Sequence, residues 1–244
     1  MSRYLLVTDI INRAAVECGL LPSADPVSDT NDIYVQMVGL LNSSGQELCE
    51  LSDWPVLIQN YSITTKSTDS GSYDLPDDFN YMIDQTGWDR TNRLPAGGPV
   101  SAQGWTWLEG RNLVNKTIYA SFRLLDGKID IFPSPPPNDM TLTFEYVSRN
   151  WLTENNSTIP TLSTITSGSN RCILDPLLSI KFLKLKFLQA KGFDYSSAAM
   201  EFDTLLGGRI GKSTGAEILH AGGGNRGLRY ITPYGNTPDT GFGS

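Results

Sequence analysis

The residues that could do chemistry in this chain are few, and their spacing suits no catalytic centre. His220 is the only histidine, which nearly excludes histidine-based triads and multi-histidine metal centres. Cys18, Cys49 and Cys172 are odd in number and share no close ligand-type spacing. Neither a zinc site nor a disulfide framework is expected, and each reads as a small buried hydrophobe. Asp77 and Asp78 are adjacent; neighbours on an extended chain point to opposite faces, so a turn or surface role is expected in place of a carboxylate dyad or calcium site. Gly207-Gly-Arg-Ile-Gly-Lys-Ser213 resembles a phosphate-binding loop, but the spacing before Gly211-Lys-Ser213 is one residue short and a helix pattern precedes it. Gly222-Gly-Gly-Asn-Arg-Gly227 fits a dinucleotide fingerprint formally, yet it sits in a glycine-rich stretch with no βαβ unit after it. Carboxylate-only hydrolysis needs no fixed sequence spacing, so the sequence neither excludes nor locates it.

The elements that would have to position a site are easier to read. A first helix is expected from an N-cap at Thr8 through Ile10, Ile11, Ala14, Ala15 and Cys18, ended by Gly19. A second follows the polar cluster Ser28-Asp-Thr-Asn-Asp32 and runs to about Ser52, with Tyr34, Met37, Val38, Leu41, Leu48 and Leu51 as its apolar stripe. Gly45 on that stripe allows close approach by a neighbour, and Trp54-Pro55 stops the helix. From about Gln59 the period changes to two. Tyr61 and Ile63 alternate with polar residues, and Tyr73 and Leu75 resume an extended pattern after a turn. Between Trp88 and Gly110, glycine, proline, Trp88, Trp105 and Trp107 predict irregular loops pinned by aromatic burial. Ile118, Ala120, Phe122 and Leu124, the turn Asp126-Gly127, Ile129 and Ile131, then Met140, Leu142, Phe144 and Tyr146 predict a three-stranded meander.

Residues 152–171 are rich in Ser, Thr and Asn and are expected to form a loop, with Asp175-Pro176 opening a third helix that ends near Lys191. That helix carries two apolar stripes: Leu178, Phe182, Leu185 and Leu188 on one, Ile180, Leu183 and Phe187 on the other. A helix apolar nearly all round needs partners on more than one side, supplied either inside one subunit or by a neighbouring subunit. Gly192 ends it, and Asp194 caps a fourth helix with Tyr195, Ala198, Ala199, Phe202, Leu205 and Leu206 inward.

The fold class expected is α+β: a four-helix bundle from the N- and C-terminal helices (residues 1–55 and 172–215), an inserted antiparallel β domain (56–171) and an extended Gly-rich C-terminal tail (216–244). The N-terminus turns polar too soon for a signal peptide, no run is long and apolar enough for a membrane span, and the Asn-x-Ser/Thr triplets lack a secretory context. The formal net charge is −7, with no Lys/Arg stripe interleaved with aromatics; tight nucleic-acid binding is disfavoured.

This order of elements resembles the head-to-tail adaptor (connector), or tail tubular protein A, family of short-tailed bacteriophages. The carrying residues are Ile10-Ile-Asn12, Leu51-Ser-Asp-Trp-Pro55, Tyr73-Asp-Leu-Pro-Asp-Asp-Phe79, the β pattern over 118–146 and the helices over 173–206. The resemblance covers about residues 1–215; the tail beyond is a departure. It implies a structural virion protein with no enzymatic activity, cofactor or metal: a ring, typically dodecameric, below the portal protein at the head–tail junction, carrying the tail nozzle or tail fibres. It implies assembly in the host cytoplasm, no membrane contact, and genomic DNA passing through without specific binding. An acidic channel wall suits that role, because repulsion lets the polymer slide without adhering, with a field screened beyond ~10 Å at physiological salt. Within it, Ile180, Leu183 and Phe187 are the expected subunit interface. Leu228, Tyr230, Ile231, Pro233, Tyr234 and Phe242 are isolated anchors in the tail, expected to dock on the portal or a neighbouring adaptor. The alternative class is a β-rich carbohydrate-binding or tail-fibre-attachment module with Trp88, Trp105 and Trp107 as stacking platforms; against it, loop tryptophans more often pin loops.

Overall fold

The computed structural model describes residues 4–110, 120–154, 157 and 159–213. The chain divides into two units, Met1–Ser213 and Thr214–Ser244, and the described residues belong to the first. Ile118, His220, the Gly222–Gly227 motif and the six tail anchors lie outside them.

Helix α1 (Val7–Glu17) buries Val7, Ile10, Ile11, Ala14 and Ala15 on one face. Its expected cap at Thr8 is displaced. The preceding β1 (Leu5–Leu6) pairs with β11 (Arg171–Cys172), so the first helical N–H of Val7 donates to Asn170 O at 2.9 Å. Thr8 Oγ1 donates to Gly168 O at 3.1 Å. A tertiary acceptor thus does what a capping side chain would do locally. Gly19 adopts φ +77° just past the helix end, where a left-handed residue is needed.

Helix α2 (Asp32–Leu51) starts where the polar cluster ends, with the Asn31 side-chain oxygen accepting from Ile33 N at 3.0 Å. Tyr34, Met37, Leu41 and Leu48 are buried, but Leu51 is 45 % exposed, because the stripe stops where the chain turns away at Ser52. Trp54 then folds back, its Nε1 donating to Leu48 O at 2.6 Å and occupying a carbonyl at the helix end.

Helix α4 (Pro176–Lys191) is capped by Asp175, which accepts from Leu178 N at 2.9 Å, and closed by Gly192 at φ +72°. It packs against α1, α2 and α5 (Ser196–Ser213). Asp194 Oδ1 accepts from Ser196 N at 3.0 Å at the start of α5. Phe182 and Phe202 stack across the α4–α5 contact with ring centroids 4.4 Å apart. α5 runs past Leu206, where the sequence pattern ends it, to Ser213.

The β region is antiparallel throughout its named pairings, so the fold is mixed α+β. Strand β9 (Thr141–Ser148) is the spine of its largest sheet, with β2 (Ile58–Thr64) on one edge. On the other edge lie β5 (Trp88–Asp89) and β4 (Phe79–Met82); β6 (Leu94–Pro95) pairs with β5. A second sheet orders β3 (Ser72–Asp74), β8 (Lys128–Phe132) and β7 (Ser121–Leu125). The β7–β8 hairpin turns on Asp126 and Gly127 at φ +52° and +70°, the left-handed pair of a type I′ turn. The expected meander is therefore broken: the third strand leaves for the other sheet. Between them, Pro133, Pro135, Pro136 and Pro137 carry no N–H to donate to a ladder, so the chain cannot continue the hairpin there. Leu142, Phe144 and Tyr146 still meet Phe122, Ile129 and Ile131, in a core shared by both sheets.

The loops expected around the tryptophans contain a helix, α3 (Ala102–Gly110). Ser101 Oγ accepts from Gly104 N at 3.2 Å, and Trp105 Nε1 donates to Glu109 Oε1 at 2.7 Å one turn on. The expected loop over 152–171 holds β10 (Leu152–Thr153), which joins β11 and β1 in a third small sheet. Gly45 and Trp151 meet face on. A Cβ on Gly45 would lie 2.2 Å from Trp151 Cε2, and Trp151 is fully buried.

Candidate functional site

None of the candidate chemistries is assembled among the described residues. No group of three or more His, Cys, Asp or Glu is placed there to hold a metal ion. Burial pushes the Cys49 thiol up to about 12 and the Cys172 thiol up to about 11, and it also raises Cys18. These thiols stay protonated at neutral pH, and the thiol form is a poor nucleophile. Residues Gly207 to Ser213 are helical, so their backbone N–H groups cannot form the cradle a phosphate loop requires. No helix among the described residues is long and apolar enough to cross a membrane.

Asp78 does more than terminate a turn. Its carboxylate accepts from Tyr146 Oη at 2.9 Å and from the buried Ser148 Oγ at 2.6 Å. Its carbonyl accepts from Arg149 N at 2.8 Å, and the Arg149 guanidinium donates to Asp77 O. Phe79 stacks on Tyr146 at 5.7 Å. Burial, and then the bond to Asp78, raise the Tyr146 hydroxyl above its ordinary range. Leu75-Pro-Asp-Asp-Phe79 is thus a latch onto the end of β9. A second latch is close in sequence: Tyr81 Oη donates to Asp53 Oδ1 at 2.9 Å, tying β4 to the residues that follow α2.

Trp105 is buried against Phe132 with the Arg123 guanidinium over its ring. It pins its segment and offers no face to a sugar. Trp107 is half-exposed and Trp88 is partly buried.

The helical surface is where the unpartnered groups collect. Ile180, Leu183 and Phe187 are 4 %, 0 % and 4 % exposed, so the protomer itself covers the second stripe of α4 with α1, α2 and α5. Exposed neighbours on the same helices form the surface left open in the protomer. Val16, Leu177 and Met200 are 57 %, 45 % and 72 % exposed. Leu177 lines two shallow grooves, one against α1 and one against α5. Between them, Lys181 bridges Glu17 at 2.9 Å and Glu201 at 3.2 Å, and Lys184 reaches Glu17 at 3.3 Å. Burial pushes the Glu17 carboxyl up, but the two lysines outweigh it and hold it below its ordinary value. The bond to Glu17 in turn holds Lys181 up against burial.

Farther along α5, Gly207, Gly208 and Gly211 are exposed, and a Cβ on any of them would meet nothing within 4 Å. Each helical glycine gives up about 1 kcal/mol relative to alanine, and no side chain among the described residues demands it. Sequence periodicity could not mark this surface, because glycines after Leu206 read as the end of a helix.

A mixed fold whose distinctive groups are latches and uncovered helix faces is the frame of an assembly protein. The chain belongs to the SU10 adaptor protein family, which it matches over residues 6–218. It is a bacteriophage adaptor, a structural component of the virion. No curated protein matches the chain.

Proposed function

We propose that this adaptor closes a ring, dodecameric in the simplest case, below the portal protein, joins capsid to tail and lines the DNA channel. The family match over residues 6–218 carries the reading. The uncovered faces of α1, α4 and α5 support it, since exposed apolar surface on a soluble subunit marks contact with another protein. In this arrangement the helices of residues 1–55 and 172–215 form bundles side by side around the channel. The β domain of residues 56–171 projects outward toward nozzle or fibre proteins, and residues 216–244 dock through Leu228, Tyr230, Ile231, Pro233, Tyr234 and Phe242 on the portal or a neighbour. A net charge of −7 per subunit favours passage of DNA over adhesion and opposes ring closure, which makes the portal a template. Negative-stain microscopy of the purified protein, alone and with the cognate portal, tests this. Rings, or new density under the portal, are expected. Monomers beside an unchanged portal would remove the ring reading.

A further inference from the structure

We propose that the outer face of α5 from Met200 to Lys212 receives helix α2 of a second copy of this chain, packed parallel and head to tail. The inference rests on the ring reading above and specifies its contact: a cyclic ring requires two different unpartnered faces on each subunit.

Helices α2 and α5 each carry such a face. Val35, Gly39, Ser43, Gln46 and Glu50 are all exposed along α2, and Met200, Thr204, Gly207, Gly208 and Gly211 are all exposed along α5. Both sets follow the i, i+4, i+7 or i+8, i+11 row of one helical face. Each opens with a large apolar side chain, Val35 at 58 % and Met200 at 72 % exposure. Each then falls to positions without bulk: a Cβ on Gly39, Gly207, Gly208 or Gly211 would meet nothing within 4 Å. Beside the α5 row, Leu177, Met200, Leu205, Gly208 and Lys212 line a groove of about 950 Å³ between α4 and α5. Small residues let two helix backbones approach closely, and an apolar groove beside them gives the approaching side chains somewhere to go.

Charge selects the occupant. Helix α2 carries Asp32, Glu47 and Glu50 and no Lys or Arg, followed by the exposed Asp53. On α5 the acids Glu201 and Asp203 lie near the start, while Arg209 and Lys212 lie near the end. Glu47 is already held by Lys186 at 2.7 Å and Arg209 by Asp175 at 3.1 Å. Glu50 and Lys212 are exposed and enter none of the ion pairs among the described residues. A parallel register puts Met200 beside Val35 and brings Lys212 within about one turn of Glu50, both rows climbing about 1.5 Å per residue. The antiparallel register sets Glu201 and Asp203 against Glu47 and Glu50, a like-charge contact.

Direction agrees with symmetry. The segment after α2 (Trp54 and Pro55) and the end of α5 (Arg209 and Lys212) line the same groove beside Asp175 and Pro176, at the start of α4. Helices α2 and α5 therefore point the same way in one protomer. Rotation about a ring axis inclined to the helices keeps neighbours nearly parallel and offsets them along the helices, by about 10 Å in the register that sets Met200 beside Val35.

To test the contact, two variants in a Cys18→Ser background, Val35→Cys and Met200→Cys, are mixed and oxidised with and without the portal while ring formation is followed by microscopy. That background leaves only the buried Cys49 and Cys172 beside the added thiol. A disulfide-linked dimer is expected only in the mixture, and a ladder in the double variant. Lys212→Glu should lower the yield severalfold, and Glu50→Lys in the partner should restore it. Rings without the mixed dimer would overturn this contact and leave the ring standing. Dimers of Met200→Cys alone would replace it with a two-fold α5 contact. Mixed dimers that ignore the charge reversal would overturn the parallel register. No oligomer in any condition would remove the ring and this contact together.

Discussion

The helical and β portions solve the same burial problem with different margins. In the β portion, Phe122, Ile129, Ile131, Leu142 and Phe144 are closed between two sheets, and polar latches such as Asp78 fasten the edges. In the helical portion the core is as dry, with Ile10, Ile11, Met37, Leu41 and Leu183 at 0 %. Yet Val16, Leu21, Val35, Leu51, Leu177, Phe193, Tyr195 and Met200, on its helices and their connections, remain exposed, against Trp107, Leu125 and Ile159 among the described residues of 56–171. Among the described residues the helical portion thus leaves more large apolar side chains uncovered than the β portion does.

Breaking the helical core itself should produce the largest effect. Trp151 fills the notch over Gly45 and donates Nε1–H to Ser163 O at 2.9 Å. Trp151→Ala leaves a cavity and an unpaired carbonyl, and should cost about 4 kcal/mol. A thermal melt should fall by roughly 12 °C for a domain of this size.

The β portion should break at its latch, at smaller cost. Asp78→Ala removes the acceptor from the Tyr146 hydroxyl and from the buried Ser148 hydroxyl, a loss of about 2 kcal/mol, read by denaturant unfolding. Asp78→Asn, which keeps one acceptor oxygen, should recover part of it. If Asp78→Ala melts like the wild type, the motif is a turn and nothing more.

That latch shows what sequence alone could carry. The sequence predicts a turn or surface role for the Asp-Asp pair because adjacent residues diverge, but the acceptor role of Asp78 depends on Tyr146 and Ser148, far away in the chain. Helix caps at Asn31, Asp175 and Asp194, and the stops at Gly19 and Gly192, are local chemistry and were readable. The cap at Leu6 was not, since its acceptor is Asn170 O. The Asp126-Gly127 turn was readable for the same local reason, whereas the destination of β9 was decided by β2, which precedes it in the chain. The surface of α5 stayed hidden because its glycines follow the last apolar residue of the pattern at Leu206, whereas Gly45 stands inside a stripe that continues to Leu51.

The ion network across α1, α4 and α5 sharpens the comparison by a smaller step. Glu17→Gln should cost about 1 kcal/mol at neutral pH, since these groups are only partly buried. Glu17 titrates below its ordinary value in the folded state. Its contribution is therefore present above the unfolded carboxylate range and lost as pH falls through the lowered value. Lys181 is raised, so its share is present below the ordinary lysine range and lost as pH rises through the raised value. The difference in Tm between wild type and Glu17→Gln should thus be widest near neutrality and close in acid. A pH-independent difference would make the network a packing feature.

The smallest change in the protomer carries the most information about assembly. Gly207→Ala with Gly211→Ala adds two methyl groups into open space and exchanges two helix-weakening residues for the best helix former, a gain of up to about 1 kcal/mol per site. The isolated protomer should therefore melt slightly higher. If α5 docks a neighbour at close range, the same methyls hold the two backbones apart, and the mixed Val35→Cys and Met200→Cys cross-link should drop while stability rises. No ordinary folding defect gives opposite signs for stability and assembly. Equal assembly at higher Tm would mean that the glycines are incidental and that the helical portion is completed through another face, with Val16 and Leu177 the next to test.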